Sequence, residues 1–429
     1  MDEKSLRRRT LLSAAGAAPL AAAATVVATA GAADAARNSA RNSARNSAGN
    51  RTEDPGAGRE SDRLGGTGPD RERIAAYDRY VRELAEQGRF SGVVMLAHRG
   101  RTVLSRAYGM ADEERGVRNS EQTRFTLSSA GKPFGTIAVL QLAQQGRLRL
   151  DSSVGEFLTG FPREIAERVT LHHLLSGASG TDAPPEEVRR ITHSRREVHD
   201  FYARRARQAR LTGTPGLPGD THQEANTTIP ALIVEAVSGM SYWDYVEKHI
   251  FRRAGMTRSG FLTREQWLSD RTVAHPYMEI DGGHLDALHH LDRGSPLGHV
   301  RGKNPGRIFI DPPGDGGFAT GPDLIRFVRA LHDGTLLQRP WRDVMMGPRV
   351  PTGPASFGAY GIGVEIFAGQ WTYQRAGGNP GVGANWTVFP ESGWVGVMLL
   401  NRDGGDLLGM LARETEAITG VAPGTGSGG

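Results

Sequence analysis

"TLSSAGKPFG", residues 126–135, places Ser129 three residues before Lys132. Proline lacks an N–H and is tolerated only in the first turn of a helix, so Pro133 marks a helix start. The helix is expected to run to about Gln145, with Gly146 as its stop. Ser129 then sits at or beside the positive end of that helix, and Lys132 lies about one turn on, on the same face. The lysine is unusual for this chain. Of 52 Lys+Arg residues only four are lysine: Lys4, Lys132, Lys248 and Lys303. Arginine keeps its proton at any working pH, whereas a desolvated lysine can lose it. A serine hydroxyl is a poor nucleophile without an adjacent base. The same residues also read as a serine N-cap followed by a solvated lysine, so the neighbouring sequence has to decide.

Upstream, "DRERIAAYDRYVRELAEQG" carries Ile74, Tyr77, Val81 and Leu84 at helical spacing, closed by Gly88. "FSGVVMLAHRGRTVLSRAYGMAD" has two β-rich runs flanking "HRGR" and reads as a hairpin. Downstream, "TIPALIVEAVSG", "SYWDYVEKHIFRRAG" and "GPDLIRFVRALHDG" are helical patterns. Strand signals return in "GAYGIGVEIFAG", "WTYQRAGG", "GANWTVFP" and "GWVGVMLLNRD", and "DLLGMLARETEAITG" is a final helix. Strands, then a long helical middle, then strands imply an α/β (α+β) fold. An antiparallel sheet built from both chain ends is flanked by helices, with an inserted helical lobe and a site between the lobes.

The 429 residues carry a formal charge of +5, of which residues 1–69 supply +3 (10 basic, 7 acidic). The remainder is close to balanced, which argues against a nucleic-acid surface. With no cysteine, disulfides, thiolate zinc sites and cysteine nucleophiles are excluded. Residues 1–33 combine "SLRRRTLL" with an Ala-rich uncharged run and small-residue cleavage options. The paired Arg8-Arg9 fit a twin-arginine export signal, so the export machinery is an expected partner and the location is secreted or cell-envelope. The run is too weakly hydrophobic for a lasting membrane span. Residues 34–69, with "ARNSARNSARNSAGN", read as a disordered linker, 70–421 as the folded domain and 422–429 as a disordered tail. The three histidines of "GHLDALHH" lack a second ligand cluster, and no phosphate loop or dinucleotide fingerprint is present. No metal or cofactor is expected.

Taken together and in order, these segments resemble the penicillin-recognising serine hydrolases. The nearest branch is that of class C β-lactamases, D-alanyl-D-alanine carboxypeptidases and β-lactamase-like esterases. "SGVVMLAHRGRTVLSRAYGMAD", "TRFTLSSAGKPFGTIAVLQLAQQGRLRLDSSVGEFL", "VTLHHLLSGASG", "SGMSYWDYVEKHIFRRAGMTRSGF" and "GGFATGPDLIRFVRALHDG" carry the likeness across residues 72–420 or so. The resemblance implies that Ser129 is the acylated nucleophile and that Lys132 helps deprotonate it. It implies an oxyanion site made of the Ser129 N–H and a backbone N–H near Gly378-Asn379.

Two of the family's three sequence elements are altered. The second, Y-x-N after a Pro-Gly turn, appears as "PGDTHQEANTT", so Asn226 matches while Glu224 stands at the tyrosine position. The third, K-T-G or H-x-G, appears in "YQRAGGNPG": Gly377 matches, Gly378 follows, and Arg375 stands at the cation position. Glu224 is a candidate proton relay, and Arg375 a candidate for holding a substrate carboxylate. Because the replaced residues are neighbours in the related enzymes, Glu224 and Arg375 are expected to pair. The reading is an exported serine hydrolase or acyltransferase acting on an amide or ester of a small molecule or peptide. Its rival is a catalytically impaired protein that keeps the cleft to bind peptide or cell-wall fragments.

Overall fold

The computed structural model describes residues 68–184, 187–218 and 224–422. The expected export signal lies outside the described residues, as do the linker up to residue 67 and the tail from residue 423. The expected hairpin forms β1 (Gly92–His98) and β2 (Arg101–Tyr108). Its turn uses Arg99 at φ 48° and Gly100 at φ 77°. Two successive positive φ values match the twist that a two-residue hairpin turn must supply.

Two short strands that the sequence did not signal, β3 (Val350–Gly353) and β4 (Ser356–Gly358), precede the four that it did, β5 (Gly363–Phe367), β6 (Gln370–Asn379), β7 (Val382–Phe389) and β8 (Trp394–Leu400). All eight make one antiparallel sheet in the order β3-β4-β5-β6-β7-β8-β1-β2. The join of the two chain ends is β1 against β8, with Gly92 opposite Leu400 and His98 opposite Trp394.

Side chains alternate across a strand, and here both faces are covered. Val93 and Met95 enter the larger core beneath the helical lobe, while Val94 and Leu96 enter a second core on the opposite face. The second core is roofed by the terminal helices, α1 (Gly68–Glu86) and α6 (Leu407–Thr419), through Ile74, Tyr77, Val81, Met410 and Ile418. The lobe contains α2 (Lys132–Gln144), α3 (Arg195–Arg207), α4 (Ala225–Ser238) and α5 (Gly321–His332). Helix α2 is buried nearly all round by Phe134, Ile137, Val139, Leu140 and Leu142, as a central core helix must be. Its Gln141 sits among them because its side-chain amide donates to the His249 and Leu336 carbonyls. No helix among the described residues is long and apolar enough to cross a membrane.

Candidate active site

The stretch that opened the reading is a single 3-10 turn, Ser128–Gly131, that runs directly into α2 at Lys132, with Pro133 in the first turn. Ser129 and Lys132 are both partly exposed, while Ser128, Ala130 and Gly131 are buried. The nucleophile candidate therefore sits at the surface end of a helix buried nearly all round, on a turn whose other residues are fixed by packing.

Strand β6 runs against this turn. Gly377 passes so close that a Cβ on it would overlap the Leu127 carbonyl oxygen and the Ala130 nitrogen, and would lie 2.8 Å from the Ser129 nitrogen. Only a glycine permits that approach. The neighbouring strand adds Trp386, whose indole N–H donates to the Ala130 carbonyl at 3.0 Å. From the other side comes the 311–317 loop. Gly316 N–H donates to the Ser128 carbonyl, and Leu127 N–H to the Gly317 carbonyl. Gly131 and Gly316 pack backbone to backbone, leaving no room for a Cβ on either.

Arg375 belongs to this assembly. Its Nε donates to the Ser129 carbonyl at 3.0 Å. Burial lowers the guanidinium to about 10, so it stays charged at neutral pH. Among the described residues no carboxylate forms an ion pair with it.

Glu224 does not. The expected Glu224–Arg375 pair is replaced by Glu224–Arg205. Arg205 Nε lies 3.2 and 3.0 Å from the two carboxylate oxygens, and Nη2 lies 2.6 Å from Oε2. The Arg205 side chain is 5% exposed and also donates to the Pro184 carbonyl. The reason is local. Glu224 immediately precedes α4, and its carbonyl accepts from the Thr227 and Thr228 amides and hydroxyls. That fixes its backbone in the first turn, next to α3 and the cation at position 205. A fork-shaped, two-oxygen contact of this kind is the strongest pairing open to a carboxylate.

Asn226 is buried on the first turn of α4. Its Oδ1 accepts from the Ser179 hydroxyl at 2.5 Å, and Ser179 also bonds Thr181. Its Nδ2 has no hydrogen-bond partner. Ser179 lies in "LLSGASG", a segment that carried part of the family likeness but in which no site residue was expected.

Two acids were also missed. Asp311 and Asp315 flank the Pro-Gly loop that supports the Ser128–Gly131 turn. Burial and the neighbouring Asp315 charge push the Asp311 carboxyl well up, against hydrogen bonds from Thr126 and the Gly317 amide. The sequence signal was two aspartates in "DPPGDGG", which composition alone reads as a turn.

Comparisons with known proteins bear on the family and the fold. A profile of the Beta-lactamase family matches residues 77–419. Esterase EstB of Burkholderia gladioli is 28% identical over 278 residues, 60% of this chain and 69% of that protein. The solved structure of a penicillin binding protein from Bacillus halodurans superposes with a TM-score of 0.66 at 25% identity, covering 78% of this chain and 98% of that one. EstCE1, described as a hydrolase with promiscuous acyltransferase activity, superposes with a TM-score of 0.64 at 20% identity, over 82% of this chain and 99% of that one. That last likeness is one of fold.

Proposed function

The chain belongs to the Beta-lactamase family, and on that premise we propose that it is an exported serine hydrolase or acyltransferase working through a Ser129 acyl-enzyme. The observation that carries the reading is the Gly377 contact. It brings the third-element strand up to the Ser129 backbone nitrogen, which supports an oxyanion site shared by strand and turn.

Lys132, as base, takes the Ser129 hydroxyl proton while Oγ bonds to the carbonyl carbon of an ester or amide. The carbonyl oxygen becomes an oxyanion, held by the Ser129 N–H and an N–H near Gly378-Asn379. Collapse expels the leaving group, which takes up the proton, and leaves Ser129 acylated. Water, or a second nucleophile, then releases the acyl group. Arg375 is the candidate site for a substrate carboxylate, its charge lying on the carbonyl side of the nucleophile. Asn226 and the Gly377-Gly378 backbone complete the proposed substrate contacts. Glu224, held by Arg205, is proposed no longer as a relay but as a strut for the start of α4.

The same Glu224–Arg205 pair favours a second reading, a cleft that binds peptide or cell-wall fragments without turning them over. A fluorophosphonate or penicillin probe separates the two, because only the enzyme gains covalent mass on Ser129. A panel of small esters and amides then ranks the leaving groups; nitrocefin turnover is expected to be slow, because two of the three elements are changed. Export rests on Arg8 and Arg9: replacing both with lysine is expected to keep the protein inside the cell, and unchanged secretion contradicts it.

A further inference from the structure

Ser128, the residue before the proposed nucleophile, has φ 48°. That left-handed conformation is strained for a non-glycine residue, and glycine adopts it freely. The serine is also buried, with 2% of its surface exposed. A buried, strained side chain at such a position calls for a compensating contact. The hydroxyl has three polar neighbours. It lies 3.0 Å from the Gly378 carbonyl and 3.3 Å from Asp315 Oδ1, either of which can accept its proton, and it accepts from Asn379 Nδ2 at 3.1 Å.

Those neighbours come from two places. Gly378 and Asn379 end β6, and their amides are the ones proposed to face the oxyanion. Asp315 belongs to the loop that supports the turn from beneath, where Gly316 N–H also donates to the Ser128 carbonyl. Arg375 fastens the same turn to β6 on the carbonyl side of Ser129. Strand and turn are thus joined at two points, one on each side of Ser129.

We infer that Ser128 is a positioning residue: its hydroxyl latches the end of β6 and the Asp315 loop to the nucleophile turn, fixing the spacing between the Ser129 amide and the Gly378-Asn379 amides. The inference rests on the Ser129 reading. It assigns Ser128 no contact with substrate. Its effect is on the geometry of the oxyanion site, where small displacements cost rate.

The Ser128→Gly variant tests this, because it removes the hydroxyl and the backbone strain together. The reaction of the purified protein with a fluorophosphonate probe is followed by intact mass, alongside thermal unfolding. The latch predicts an unchanged or raised melting temperature and a maximal labelling rate lower by about tenfold, the worth of one well-placed hydrogen bond. The probe concentration for half-maximal rate should change little. Labelling should still reach completion, because Ser129 is intact. Asn379→Ala should lower the rate similarly, and the double variant should lose little more than either single one. If Ser128→Gly and Asn379→Ala both label as fast as the unmodified protein, the latch is wrong. An unmodified protein that takes no label overturns the Ser129 reading and the latch together, whereas a labelled protein with equally fast variants overturns the latch alone.

Discussion

Arg375 and Glu224, the two residues expected to pair across the site, behave in opposite ways. Arg375 stays with the Ser128–Gly131 turn, reaching the Ser129 carbonyl from β6. Glu224 turns away and is bound by Arg205 of α3. The difference follows from what surrounds each residue. A strand fixes Arg375 in register, with Arg375 opposite Trp386 and Gly377 opposite Ala384, so its side chain has to lie near the turn that β6 packs against. Glu224 stands at a helix start beside another helix, and the nearest cation there is Arg205. The strand residue keeps to the Ser129 turn; the residue at the helix start is held by the neighbouring helix.

The largest expected effect comes from breaking the contact that keeps the strand in place. Gly377→Ala would force the turn and β6 apart. It is expected to cost about 1–3 kcal/mol of stability, in the range of overpacked cores. Covalent labelling should also fall by about a hundredfold, since donors displaced from an oxyanion site cost that much. Thermal unfolding and probe kinetics measure the two. A variant that folds and labels normally would show that the strand can retreat without consequence.

A carboxyl buried without an arginine sharpens the contrast with Glu224. Glu414 of α6 is fully buried against Gly396 and Thr387, and burial pushes its carboxyl up to about 8. The folded state therefore holds a proton that the unfolded state releases near the usual glutamate value. Stability from this group should fall as pH rises from about 4.3 towards about 8, by on the order of a few kcal/mol. Glu414→Gln should flatten that part of the pH-stability curve and raise stability near pH 8. An unchanged curve in urea titrations would remove Glu414 as the cause.

Arg205→Ala should leave Glu224 without its cation and Pro184 without its donor. About 2–3 kcal/mol is expected, below the 3–5 kcal/mol of a fully buried pair because Glu224 is 34% exposed. Chemical denaturation reads it, and Arg205→Lys should recover only part, since lysine cannot supply the fork. A loss under 0.5 kcal/mol would make the pair incidental.

The smallest effect is the interaction between the two departures. Glu224→Tyr and Arg375→His should be additive within about 0.3–0.5 kcal/mol in a double-mutant cycle, because the two side chains have different partners. Coupling above 1 kcal/mol would mean that they communicate after all.

How much of this was legible in the sequence depends on the range of the contact involved. The hairpin at 92–108, the helix start at Pro133 and the strands from 363 to 400 follow from periodicity and turn residues, which act over a few positions, whereas the two short strands between 350 and 358 were not signalled. The joining of β1 to β8 came from element order and the family resemblance. The Glu224 partner was not legible. Arg205 and Glu224 are both ordinary charged residues in sequence, and choosing between Arg205 and Arg375 requires knowing which helix packs beside the start of α4. Ser128 was not legible for another reason: nothing in "TLSSAGKP" marks its first serine as left-handed, because that φ is imposed by the loop and strand that grip it. Asn226 was placed by its motif, but its bond to Ser179 depends on a contact across 47 positions.

The central claim is that Ser129, gripped between α2 and β6, is the acylated residue. Intact-protein mass spectrometry after incubation with a fluorophosphonate or penicillin probe tests it most directly, comparing the unmodified protein with Ser129→Ala and Ser128→Ala. One adduct is expected on the unmodified protein, one adduct formed more slowly on Ser128→Ala, and none on Ser129→Ala. An adduct that persists on Ser129→Ala would contradict it.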